Sequence, residues 1–153
     1  MTNTQLRAAA WRPALRSWRT AAGAVAVIGG ALAAAGCFLP WVTAFGGLEG
    51  FPGVRGSNGK LLAAAGIVVV AAGTWHLLRG SAWARWAAGL LGAGVAGSAG
   101  YLLLQLQETM RSLGGDAMTL LGSGPGLWLV AAGGLLAFAT MFLPAGGRGA
   151  AQL

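Results

Sequence analysis

Acidic residues are nearly missing from this chain: its 153 residues hold Glu49, Glu108 and Asp116 against ten Lys and Arg. Charged residues make up 8% of it, whereas a soluble domain carries about a quarter, so a water-solvated globular surface is excluded. Histidine and cysteine occur once each, as His76 and Cys37. With no pair of acids at ligand spacing, zinc, haem and di-metal sites lack ligands, and no cofactor or metal is expected. One cysteine excludes an intrachain disulfide, which argues against claudin-like proteins with a cysteine pair in the first outer loop. No Gly-rich stretch continues into the Lys and Ser or Thr of a phosphate-binding loop. No enzyme chemistry is recognisable.

What the chain has instead is a hydrophobic fraction of 56% gathered into four runs, at residues 20–42, 61–78, 86–106 and 127–143. Each is close to the roughly 20 helical residues that cross about 30 Å of hydrocarbon. Transmembrane strands are excluded, because stretches such as 67–72 are apolar at every position and do not alternate. The expected fold is an all-α membrane protein, a bundle of four transmembrane helices forming one domain over residues 20–143. Outer loops at 43–60 and 107–126, a basic amphipathic segment at 1–19 and a flexible tail at 144–153 complete it.

Charge sets the orientation. Arg7, Arg12, Arg16 and Arg19 precede the first run, Arg79 and Arg85 lie between the second and third, and Arg148 follows the fourth, with no acid in these segments. The other two connectors hold all three acids with Arg55, Lys60 and Arg111. The positive-inside rule then places both termini in the cytoplasm of a cell whose plasma membrane the chain crosses four times. Trp18, Trp75, Trp83 and Trp86 fall at expected inner helix ends and Trp41 and Trp128 at outer ends, as interfacial anchors.

At the amino terminus, Trp11, Leu15 and Trp18 share one helical face and Arg12, Arg16 and Arg19 the neighbouring one, which suits an anionic membrane surface. Nucleic acid is not an expected partner, since the +7 charge is mostly orientation signal and no nucleic-acid motif accompanies it. Ala34, Ala35, Gly36 and Cys37 resemble the end of a bacterial lipoprotein signal, but Ala34 replaces the usual Leu and the apolar run continues past Cys37. An uncleaved first helix is expected.

Small residues suggest how the helices meet. Ala88, Gly92, Ala96 and Gly100 repeat every fourth position in the third run, beside Gly89, Ala93 and Gly97, and the first run has Ala22, Ala26, Gly30 and Ala34. Such rows let backbones approach, so helices one and three are expected to form the close-packed centre, with two and four outside. Gly59, Ala64, Ala65 and Gly66 recur as Gly126, Ala131, Ala132 and Gly133, a weak repeat that fits duplication of a helical hairpin.

The outer loops carry the candidate recognition residues Glu49, Phe51, Arg55, Glu108, Arg111 and Asp116. Met110, Leu113, Ala117 and Leu121 would form an apolar stripe if the second loop were partly helical, and Arg55 could meet Glu108 or Asp116, although exposed pairs contribute little. His76 is expected at the lipid headgroups. The expected spans contain no Asp, Glu or Lys and no Arg, and polar groups such as Thr74, Ser98 and Thr140 are of the kind used in helix packing, so an autonomous ion pathway is not expected.

Leu39, Pro40 and Trp41 after the first run, the Gly-rich outer loop, and Gly126, Leu127 and Trp128 ahead of Gly133 and Gly134 resemble the small four-helix membrane proteins of high-GC Gram-positive bacteria, including the tryptophan-associated membrane-protein group. That resemblance implies a layout and no activity. The function expected is a small accessory or assembly subunit of a larger membrane complex, in contact with membrane lipids. The alternative is a stand-alone or homo-oligomeric protein that binds lipid or a small ligand.

Overall fold

The computed structural model describes residues 3–44, 48–112 and 121–143, with side chains from residue 20 onward except at 121. It contains four helices, α1 (Asn3–Gly36), α2 (Ser57–Arg79), α3 (Ala82–Ser112) and α4 (Pro125–Ala139), and a small sheet of β1 (Pro40–Ala44), β2 (Glu49–Pro52) and β3 (Leu121–Ser123). At 1.5 Å per residue, α2 is about 34 Å long and α3 about 46 Å, and both are apolar and long enough to cross a membrane. The apolar part of α1, Thr20–Gly36, and the whole of α4 are shorter.

Helix ends follow from local chemistry. The first helix stops at Gly36, six residues before the expected end, because Pro40 has no N–H to give to the Gly36 carbonyl. The Trp41 indole N–H takes that place, donating to the Gly36 oxygen at 3.1 Å. Residues 40–42, expected in helix one, are therefore strand. Helix α2 closes on Gly80, whose φ of 63° is left-handed and whose N–H returns to the His76 carbonyl at 2.7 Å. Pro125 opens α4, at a position where a missing N–H costs nothing. The fourth helix ends at Ala139 and tightens through i to i−3 bonds up to Phe142, rather than staying helical to residue 143.

The two expected outer loops are one structure. Antiparallel strands in the order β2-β1-β3 join the segment after α1 to the segment before α4, with Thr43 between Gly50 and Gly122 and its hydroxyl donating to the Gly122 carbonyl. Helix α3 continues to Ser112, so Met110 is helical and buried, while Leu121 is in a strand; the proposed helical stripe in that loop is broken at this point. Leu113 and Ala117 lie outside the described residues, as do Asp116 and the tail. Backbone helix runs from Asn3 straight into α1, with the side chains of Arg7 to Arg19, and Trp18 among them, outside the description.

The helices pack in a cycle: α1 lies against α2 and α4, and α3 against α4 and, less closely, α2. Helices α1 and α3 are diagonal and meet sparingly, which corrects the expectation that they form the centre. Glycines spaced by seven explain the choice. A β-carbon at Gly30 would stand 2.7 Å from the Gly66 carbonyl, and one at Gly133 would stand 2.6 Å from the Ala33 nitrogen. Gly29 faces α4, so α1 carries two adjacent glycine contacts, one for each neighbour. The recurring Gly59–Gly66 and Gly126–Gly133 pairs thus have a packing reason: Gly66 and Gly133 both dock on α1, Gly126 meets its last carbonyl and the backbone after it, and Gly59 meets the backbone of Gly53 and Val54.

The core is built from small side chains. Ala26, Ala33, Ala63, Ala84, Ala88, Ala99 and Ala137 are buried, whereas Leu61, Ile67, Leu90, Leu104 and Leu135 are more than half exposed. Only 33% of the most apolar stretch of α2 and 28% of that of α3 are buried, the reverse of a soluble core helix.

Candidate functional site

At the sheet end, the Trp41 ring lies over Gly53, where any β-carbon would collide with it, and the ring packs on a cluster that includes Cys37, Leu62 and Leu127. Trp41 is therefore half-buried and structural, unlike Trp75, Trp83, Trp86 and Trp128, which are exposed on the helix surfaces. Cys37 is fully buried, with its Sγ–H toward the Ala33 carbonyl, and Val54 N–H donates to its carbonyl oxygen. It is a core residue.

Of the expected recognition residues, Glu49 and Phe51 share one face of the edge strand β2, and Arg55, Glu108 and Arg111 are exposed around the same end. No ion pair joins charges among the described residues, so the Arg55–Glu108 contact does not form. Phe38, Leu48 and Phe51 add exposed apolar side chains to this end.

The opposite end carries the buried polar groups. His76, expected among headgroups, is buried and its Nδ1–H donates to the Ser81 carbonyl at 2.8 Å, fixing the α2–α3 turn. Arg85, counted in the sequence as an orientation charge, is buried as well; its Nη1 donates to the Leu143 carbonyl at 2.9 Å, and its Nε has no partner among the described residues. The Arg79 guanidinium lies 4.5 Å over the Trp75 ring. No group of three metal-binding side chains occurs among the described residues.

The small-residue rows of α3 divide into two halves. Ala88, Gly89 and Gly92 face α4, with Gly92 against Ala137 and the Gly134 carbonyl, and the Ala96 nitrogen lies under Gly134. A β-carbon at Gly94, Gly97 or Gly100 meets nothing within 4 Å, so Gly97 and Gly100, expected as packing residues, pack on nothing among the described residues. Ala93 is half-buried. Gly30 and the Ala34 backbone pack against Gly66 of α2, not against α3 as expected.

Where α2 and α3 diverge toward the sheet end, a cleft of about 440 Å³ remains. Asn58, Leu61 and Leu62 line it from α2, and Gly97, Ser98, Tyr101 and Gln105 from α3. A smaller cavity of about 240 Å³ adjoins it along α3, sharing Leu102 and Gln105, and reaches Trp41 and Leu127. The sequence signal for this cleft was the polar series Ser98, Tyr101 and Gln105 at i, i+3 and i+7, one face of an otherwise apolar helix. No family model matches the chain, and no curated protein or solved structure matches it either.

Proposed function

We propose that this chain is a non-catalytic plasma-membrane protein that crosses the bilayer four times with both termini in the cytoplasm and serves as a small accessory or assembly subunit of a larger membrane complex. The observation that carries the membrane reading is the inverted distribution of size: Ala and Gly inside, Leu, Ile and Trp outside. Water would penalise that surface, whereas lipid removes the penalty and favours close backbone packing through small residues. Charge supports the orientation, because Arg79 and Arg85 mark the turn end while every described acid lies at the sheet end. Exposed Trp75, Trp83 and Trp86 suit the inner interface and Trp128 the outer one.

The subunit role follows from what the outer end offers. Three short strands hold Glu49, Phe51 and the adjoining Arg55 on a fixed frame, beside Glu108 and Arg111 on the protruding end of α3. Their exposure without ion pairs, and sheet edges that pair with no strand among the described residues, suit a protein partner that adds contacts there. The buried polar groups, His76, Arg85 and Thr140, are engaged by backbone carbonyls of the fold itself. Extraction in mild detergent followed by quantitative mass spectrometry tests the role. A larger partner should copurify at fixed stoichiometry and be lost in Phe51→Ala with Arg55→Glu; a chain that runs alone or only with itself overturns it.

A further inference from the structure

We infer that the α2–α3 cleft is a binding site for the uncharged glycerol-ester region of an outer-leaflet lipid. The inference rests on the membrane reading but not on the subunit role. The cleft falls in the range of about 300–1,000 Å³ typical of ligand sites, and it is open to the outside, with exposed Leu61 and Tyr101 in its lining. In the proposed topology that opening faces lipid. Asn58 and Gln105 stand at the sheet end, while Gly97 and Leu62 lie nearer the α2–α3 turn. The span from Ser98 to Gln105 is about 10 Å of helix, just below the outer interface.

The lining selects the chemistry. Among the described residues no carboxylate, ammonium or guanidinium lines the cleft, so neither a phosphate nor a quaternary amine gains a charged partner from them. Two side-chain amides and two hydroxyls, from Asn58, Gln105, Ser98 and Tyr101, offer donors and acceptors that match ester carbonyls and a glycerol oxygen. Below them Gly97 and Gly94 have open space beside them, and exposed Leu90 follows on α3, a bare apolar surface along which an acyl chain can lie toward the bilayer centre. A glycerolipid has its esters and chains in the order of these polar groups and the open glycine face below them, an order that a protein helix lacks.

Native mass spectrometry of the full chain in mild detergent, with dioleoylglycerol or dioleoyl-phosphatidylglycerol added, tests this. Both probes carry the glycerol-ester unit, and both should give persistent one-to-one adducts. A β-carbon at Gly97 meets nothing within 4 Å among the described residues, so Gly97→Leu places bulk in the cleft with no backbone clash at its root. It should lower adduct occupancy by about tenfold while leaving the melting temperature unchanged, because it removes the room for the ligand rather than one contact. Should Gly97→Leu misfold, the pair Tyr101→Phe and Gln105→Leu gives the same reading, with occupancy falling and fold retained. Adducts with the anionic probe alone would assign binding to a phosphate contact and overturn the inference. So would full occupancy in Gly97→Leu, an absence of adducts in the native chain, or loss of a copurifying protein on Gly97→Leu with adducts retained. A chain recovered in the aqueous fraction would instead remove the membrane reading itself.

Discussion

Gly133→Leu is expected to abolish recovery of folded protein, while Gly94→Leu on α3 leaves it intact. At Gly133 a β-carbon would lie 2.5 Å from the Gly29 carbonyl oxygen and 2.6 Å from the Ala33 nitrogen. Both obstacles are backbone, so no side-chain rotation relieves them. Accommodation requires α1 and α4 to separate along their shared length, which also strips contacts from Ala33, Val130 and Ala137. Overpacking a dense core costs about 1–3 kcal/mol even where side chains can yield, and this position belongs above that range. At Gly94 a β-carbon meets nothing within 4 Å among the described residues and the substitution removes a helical glycine, so it should stay within about 0.5 kcal/mol of the native chain. Thermal melting and size-exclusion profiles in one detergent measure both, and equal stability of the two variants would contradict the packing described.

Trp41→Ala should give the second-largest loss, about 3 kcal/mol. The ring fills the space over Gly53 and its N–H satisfies the Gly36 carbonyl that Pro40 leaves open. Truncating a buried aromatic costs about 3–5 kcal/mol; half burial lowers that contribution, and the lost hydrogen bond adds about 1 kcal/mol. Trp41→Phe retains most of the ring volume and should cost about 1 kcal/mol, the hydrogen bond alone. A melting series of the three proteins checks the order native, Phe, Ala. Equal effects of Phe and Ala would mean that the ring is not packed; no effect of either would mean that Trp41 only anchors in lipid.

These two positions also show what the sequence made legible. The four helices could be read from their apolar runs, because roughly 20 uninterrupted apolar residues have few other uses. Pro40 stood inside the first run and carried the signal for its end, but Trp41 and Val42 extended the hydropathy and concealed it. Strands of three to five residues have no period to detect, and two of them pair at a separation of 79 residues, about half the sequence, so the sheet had no local signature. The small-residue rows were visible, but their partners were not. A row of Gly and Ala on α3 looks the same at Gly92, which meets α4, and at Gly97, which meets nothing; only the neighbours differ. His76 and Arg85 likewise read as interfacial from position, while their burial depends on a turn and on the end of α4.

The central claim is that the exposed apolar helix surface faces lipid. It is tested most directly by cysteine accessibility in intact cells, since the native Cys37 is buried and contributes no background. Single cysteines at Glu108, Ala82, Ile67 and Leu90, all exposed positions, are challenged with a membrane-impermeant maleimide before and after permeabilisation. The account predicts that Glu108→Cys labels in intact cells, Ala82→Cys labels only after permeabilisation, and Ile67→Cys and Leu90→Cys label in neither. Labelling of Ile67→Cys and Leu90→Cys as strongly as Glu108→Cys would place these helices in water and contradict it.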